Sequence, residues 1–249
     1  MVQFIYSILA YVGFLATYAY LAAFSDGVGV PKTVDGGLAT GTAVALAINL
    51  GLILLFGFQH SVMARTAFKR AITRLIPASV ERATFVFASS VALIVLMWQW
   101  RPLPTVLWHV RNPGLATGLW AINALGWLGV PVSSLMIDHF DLFGVKQAWN
   151  GFRRVSYQRK GFVTPLFYKY VRHPIMTSLL VAFWVTPQMT VGHLVLSVGM
   201  SIYVVIGVHF EERSLAEELG VAYERYMAST PRFLPIRHRV VQRSLDASR

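Results

Sequence analysis

Five apolar runs, at 4–24, 39–58, 84–100, 115–137 and 191–210, punctuate the 249 residues. Each comes close to the roughly 20 residues a helix needs to cross a bilayer. A shorter run, 175–186, precedes the last, and Pro187 with Thr186 and Gln188-Met189-Thr190 marks a turn between them. The pattern predicts an all-α fold, a polytopic transmembrane helix bundle with five or six membrane segments, the last two forming a hairpin. The 4–24 run has no basic stretch before it and exceeds the about 7–15 apolar residues of a cleaved signal, so it reads as the first transmembrane helix. There is no internal repeat, low-complexity linker or soluble segment, and residues 1–249 are expected to form a single domain.

The polar stretches carry their own information. In 67–76, Phe68, Ile72, Leu75 and Ile76 share one face while Lys69, Arg70 and Arg74 lie elsewhere. This suits a helix in the headgroup layer that Pro77 stops, and equally a solvated basic loop. The longest polar segment, 138–170, suits a cap over a site. Basic residues set orientation. The 25–38 loop has Lys32 and the 101–114 loop Arg101 and Arg111, against five in 59–83, seven between 138 and 174, and seven after 210. The positive-inside rule puts the rich loops in the cytosol, and with a final hairpin both termini as well. An integral membrane protein whose basic end opens to the cytosol is the expectation.

Composition agrees. Hydrophobic residues make up 55% and charged residues 13% of the chain, and the net charge is +11. In a soluble protein that charge would raise nucleic acid as a partner. Beside membrane spans the counter-ions are anionic lipid headgroups, and no nucleic acid is expected. The absence of cysteine excludes disulfides, thiolate metal sites and a cysteine nucleophile. Gly27-Val28-Gly29-Val30-Pro31 breaks the dinucleotide fingerprint and follows a span rather than a strand. His193 and His209 lack ligand spacing, so no metal is expected.

The stretch with the most chemistry is Tyr168-Lys169-Tyr170-Val171-Arg172-His173-Pro174, followed by the 175–186 and 191–210 runs and then Glu211-Glu212-Arg213. Pro174 suits a first helical turn, where its missing N–H costs nothing. Arg172 and His173 then flank the positive end of a helix and favour a carboxylate or phosphate. The competing reading makes them lipid-facing anchors. Glu211 and Glu212 are about 100° apart on a helix, so one can face the bundle and the other water. Carboxylates at a helix C-terminus oppose the dipole. Either the helix runs on to about Leu219 with Gly220 as its cap, or the pair is kept for a ligand. An ideal hairpin turning at 188 sets Pro174 beside Ile202, nine residues short of Glu211, a gap of about 13 Å. His60, after Gln59, and His139, between Asp138 and Asp141, are candidate bases, each with a hydrogen-bonded structural role as its alternative.

These residues resemble the membrane methyltransferases that include isoprenylcysteine carboxyl methyltransferases and phospholipid N-methyltransferases, which carry Tyr-x-x-Val-Arg-His-Pro and Glu-Glu around S-adenosylmethionine. Within that group the chain is most similar to the bacterial methanethiol S-methyltransferases and the neighbouring NnrU-like proteins. The similarity runs through 59–65, 139–144 with Gln147-Ala148-Trp149, 183–194 and 211–226, and spans about residue 59 to Pro235. Met176 departs from it, because the family usually has an aromatic residue two places after the proline.

The resemblance implies S-adenosylmethionine as methyl donor, a small thiol as acceptor, and a cofactor site of Tyr168, Tyr170, Arg172, His173, Pro174, Glu211 and Glu212. With methanethiol the product would be dimethyl sulfide, and with hydrogen sulfide methanethiol. A protonated thiol is a poor nucleophile, so His60 or His139 is expected as catalytic base. Two rivals stand beside this reading: an enzyme with a lipid amine or prenyl-cysteine carboxylate as acceptor, and a non-enzymatic NnrU-like membrane protein.

Overall fold

The computed structural model describes residues 1–157 and 161–235. The elements run α1 (Val2–Asp26), α2 (Thr42–Ala64), α3 (Thr66–Ile72), α4 (Ala78–Gln99), β1 (Val106–His109), α5 (Pro113–Ile137), α6 (His139–Leu142), α7 (Val145–Arg153), α8 (Pro174–Trp184), β2 (Gln188–Thr190), α9 (Val191–Leu219) and α10 (Val221–Ser229). Five of them, α1, α2, α4, α5 and α9, are long and apolar enough to cross a membrane, and α8 is a shorter apolar helix. The all-α membrane bundle expected from the hydropathy pattern is the fold observed.

Local chemistry sets the helix ends. Asn112 caps α5 by accepting from the Leu115 N–H at 3.0 Å, ahead of Pro113 in the first turn. Thr190 does the same for α9 through the His193 N–H at 3.1 Å. The α9 helix passes straight through Glu211 and Glu212 and ends at Leu219, where Gly220 takes a positive φ of 56° and the chain reverses into α10. The pair therefore lies inside a helix, and its charges do not oppose a C-terminal dipole. α3 is shorter than the 67–76 pattern suggested, and Pro77 is the residue before α4.

Around the bundle α1 packs along α4, α4 along α2, α2 along α9, and α5 along α8. Phe24, Leu96, Trp100, Phe183 and Leu196 form the buried core with Trp127. One end of the bundle gathers the 27–41, 100–112 and 185–190 connections. There Asn49 exchanges two 2.8 Å hydrogen bonds with the Arg101 backbone, Lys32 donates to Trp100 O at 2.7 Å, and Thr190 donates to Asp35 at 2.6 Å. The antiparallel β1/β2 pair lies at this end, and nothing in the hydropathy pattern announced it. The opposite end gathers the N-terminus, the 65–77 connection with α3, and residues 138–157 and 161–173, with Ser79 bonded to Gln3 and Arg82 to Leu142 O. The loops richest in Lys and Arg thus share one end; Arg159, Lys160 and the basic residues after 235 lie outside the described residues.

The α5/α8 contact is backbone-close. A Cβ on Gly126 would sit 2.7 Å from Ala182 N and 3.0 Å from Ser178 O, while one on Gly118 would meet nothing within 4 Å. Gly126→Ala is expected to lower stability by about 1–3 kcal/mol and Gly118→Ala to leave it level or raised, read by thermal unfolding in detergent. Single cysteines placed at Val155 and Leu107 are expected to react with an impermeant maleimide from opposite faces of the membrane.

Candidate active site

Glu212 is the centre of the charged end. Its helix position turns the carboxylate inward, where it is 3% exposed. Arg172 Nε donates to Oε1 at 2.7 Å, His173 Nε2 lies 3.1 Å from the same oxygen, and Arg232 places Nε and Nη2 each 2.7 Å from Oε2. Arg172 Nη1 donates to Met227 O at 2.7 Å and also to Thr230 O. Its side chain is only 9% exposed, so Arg172 works as a buried cross-link between the start of α8, α9 and the end of α10.

The expected 13 Å gap is therefore not present between these groups. α8 is not a straight arm of an ideal hairpin: His173 is non-helical, with φ −124°, and the chain before it runs beside the segment after α10. Arg172 N–H donates to Pro231 O and His173 N–H to Arg232 O, while Thr177 Oγ1 donates to Phe233 O. The long Arg172 and Glu212 side chains bridge what remains.

Glu211 points the other way, as the 100° step demands, with a side chain 51% exposed and Oε2 3.7 Å from His173 Nδ1. Burial, with Glu211 adding to it, pushes the Tyr168 phenol well above its ordinary value. Burial also raises the Tyr226 phenol to about 12, and it stays a donor to Tyr168 O. The Tyr168 hydroxyl donates to the Ser133 backbone carbonyl at 3.5 Å, and the buried Ser133 Oγ has no partner among the described residues. Pro174 is buried at the start of α8, Tyr170 lies on the surface at 66% exposure, and Met176 is half-buried in the first turns of α8.

The two candidate bases differ in their surroundings. Ser89 Oγ donates to Phe85 O at 2.9 Å and lies 3.0 Å from His60 Nδ1. A carbonyl can only accept, so the serine proton is committed and His60 donates Nδ1–H to Ser89. Its Nε2 keeps a lone pair with no partner among the described residues, inside a wall of Phe56, Phe85 and Tyr203 at ring distances of 5.4, 4.6 and 5.8 Å. By the same reasoning Ser134, donating to Pro131 O at 2.8 Å, accepts from His139 Nδ1–H at 2.7 Å. Here Nε2 is engaged, accepting from Tyr11 OH at 2.6 Å. His139 is a cross-link between α1 and α5, and Asp138 and Asp141 bond instead to Lys146 and Tyr157.

Arg232, Ser89 and Tyr203 were not singled out from the sequence. For Arg232 the available signal was its position between Pro231 and Pro235, a cation in a rigid segment. For Ser89 it was a hydroxyl pair, Ser89-Ser90, within an apolar span. The returning part of the 138–170 segment lies on α10 through Phe162, whose ring is 5.7 and 5.4 Å from those of Tyr223 and Tyr226.

A helical membrane bundle with a buried Arg-His-Glu centre at its basic end is the architecture of a membrane-embedded enzyme rather than of a simple anchor. Comparison with known proteins narrows this. The chain is 45% identical to a methanethiol S-methyltransferase of Mycobacterium tuberculosis over 94% of its own length and 96% of that protein's. It is 44% identical to methanethiol S-methyltransferase 1 of Bradyrhizobium diazoefficiens, over 96% of this chain and 84% of that one. A more distant relative, Nurim of Bos taurus, is 30% identical over 70% of this chain and 71% of its own. No family model matches the chain and no solved structure does. The chain belongs to the methanethiol S-methyltransferase family of membrane proteins.

Two measurements check the electrostatics. Glu212→Gln leaves the buried Arg172 uncompensated and is expected to cost about 3–5 kcal/mol in detergent unfolding, whereas Glu211→Gln changes stability little. Burial holds the His139 pKa below its ordinary 6.5. The unfolded chain then binds the extra proton first, so this contribution is complete above about 6.5 and is lost as pH falls from there toward the depressed value. The thermal midpoint is expected to drop across that window in the native chain and to drop less in His139→Gln.

Proposed function

We propose that the protein transfers a methyl group from S-adenosylmethionine to a small volatile thiol, converting methanethiol to dimethyl sulfide at the cytosolic face of a bacterial inner membrane. The observation that carries the reading is the match to proteins named methanethiol S-methyltransferase at 44–45% identity along nearly the whole of this chain. The donor set supports it. S-adenosylmethionine presents a carboxylate, an ammonium, ribose hydroxyls and a sulfonium. Beside the buried Arg172–Glu212 pair stand the half-exposed Glu211 carboxylate and the His173 ring, with Tyr168 on the turn that leads into Arg172. Glu211, His173 and Tyr168 would hold the cofactor. Arg172, Glu212 and Pro174 fix their positions, and Tyr170 borders the opening. When bound, the cofactor supplies an electrophilic methyl on its sulfonium.

This chain's own contribution is alignment and proton removal. Of the two histidines, His60 is the proposed base. Its Nε2 takes the thiol proton as the S–H bond breaks, leaving the thiolate, while Ser89 holds Nδ1–H and so keeps the lone pair on Nε2. The aromatic wall around His60 suits a small apolar acceptor and excludes water, which would otherwise solvate the thiolate. His139, with both ring nitrogens engaged, keeps α1 and α5 in register.

Headspace gas chromatography of purified protein given S-adenosylmethionine and methanethiol is expected to show dimethyl sulfide. Turnover of a lipid amine or a prenylated cysteine in its place, or of nothing, would refute the acceptor assignment. His60→Ala is expected to lower turnover near neutral pH by about 10²–10⁴-fold without changing cofactor affinity, with the defect shrinking as pH approaches the thiol's own pKa. His139→Ala is expected to lower the yield of folded protein while the folded fraction keeps its turnover. The reverse pattern would exchange the two roles.

A further inference from the structure

The contacts around Glu212 form a line, Glu211 to His173 to Glu212 to Arg232, whose middle is buried and whose two ends are not. The Glu211 side chain is 51% exposed and that of Arg232 44%, against 7% for His173 and 4% for Glu212. One end offers a carboxylate and the other a guanidinium. That charge pattern is the complement of a zwitterionic amino-acid group.

We infer that Arg232 binds the carboxylate of the cofactor's amino-acid end, with Glu211 taking its positive group; the inference rests on the S-adenosylmethionine reading of this site. Arg172 is the less suitable cation, because its Nε goes to Glu212 and its Nη1 to the Met227 and Thr230 carbonyls. The Arg232 guanidinium bonds only to Glu212 among the described residues, and its Nε and Nη2 both fall on the single oxygen Oε2. Its Nη1 has no partner there. A cavity of about 270 Å³ borders it, lined by Arg172, Met227, Thr230 and Pro231 among others. A planar guanidinium matches a carboxylate through two parallel bonds, which this side chain does not make in its present arrangement.

The backbone allows the exchange. Pro231 O and Arg232 O accept from Arg172 N–H and His173 N–H at 2.9 and 3.1 Å, and Phe233 O accepts from Thr177 at 3.0 Å. The segment stays anchored whatever the Arg232 side chain does. Glu212 also keeps Arg172 and His173 when Arg232 turns away.

The test is calorimetric titration of detergent-purified protein with S-adenosylhomocysteine and with 5′-methylthioadenosine, which has the adenosine and thioether but no amino-acid end. Arg232→Gln is expected to weaken S-adenosylhomocysteine binding about tenfold or more and leave 5′-methylthioadenosine unchanged, with Arg232→Lys between. Equal weakening of both ligands would make Arg232 a structural residue, and no weakening of either would remove it from the site; both results overturn the inference. Failure of the unsubstituted protein to bind S-adenosylhomocysteine would instead overturn the reading of the site beneath it.

Discussion

A carboxylate buried in the middle of a long helix is costly unless its charge is met, and Glu212 makes that cost an organising constraint. The cations that meet it come from before α8 and from beyond α10, so the chain must bring both to one point on α9. Arg172 then extends the tie, holding carbonyls at the end of α10 with the same guanidinium. The result is that the connections around α8, α9 and α10 are fixed by one polar centre rather than by apolar packing, which in lipid gives little preference between one helix and another. Glu211 and Arg232 stand half-exposed at the margin of this centre, while Arg172, His173 and Glu212 meet one another inside it.

The two histidines differ in their surroundings by a single contact. Each lies near a serine on a neighbouring span whose hydroxyl is committed to a helix carbonyl, and each is thereby held as the Nδ1–H form. The difference is one phenol. Tyr11 engages Nε2 of His139, whereas the ring nearest His60 on α9, Tyr203, stands edge-on at 5.8 Å. No spacing in the sequence distinguishes these environments, since Tyr11 is 128 residues from His139.

What could be read in advance followed from local patterns. The run 4–24 became Val2–Asp26 and 115–137 became Pro113–Ile137, because apolar length alone defines a span in lipid. The pairing of the Arg172-His173 end with the Glu211-Glu212 end was legible from the hairpin between them, but its tightness was not. An ideal hairpin has no extended segment, and the backbone pairing of 172–173 with 231–232 depends on the reversal at Gly220. Arg232 was hidden for the same reason. The β1/β2 pair was invisible because its strands have four and three residues, too few for alternation to register.

α8 has 11 residues and rises about 16 Å, roughly half of a hydrocarbon core. The chain beyond it continues at the end of the bundle as irregular backbone and strand, with Val110 N–H on Pro187 O, Val191 N–H on Thr105 O, and Asn123 Nδ2 on Ala182 O. All of those partners outside the α8–α9 segment belong to residues 105–123, which leave the ribosome earlier. A segment this short cannot settle in a bilayer by its own hydrophobicity, so it inserts against a template already present. The order of synthesis and the order of assembly coincide here: β1 and α5 have to be in place before the part of the chain that carries the charged centre can be completed.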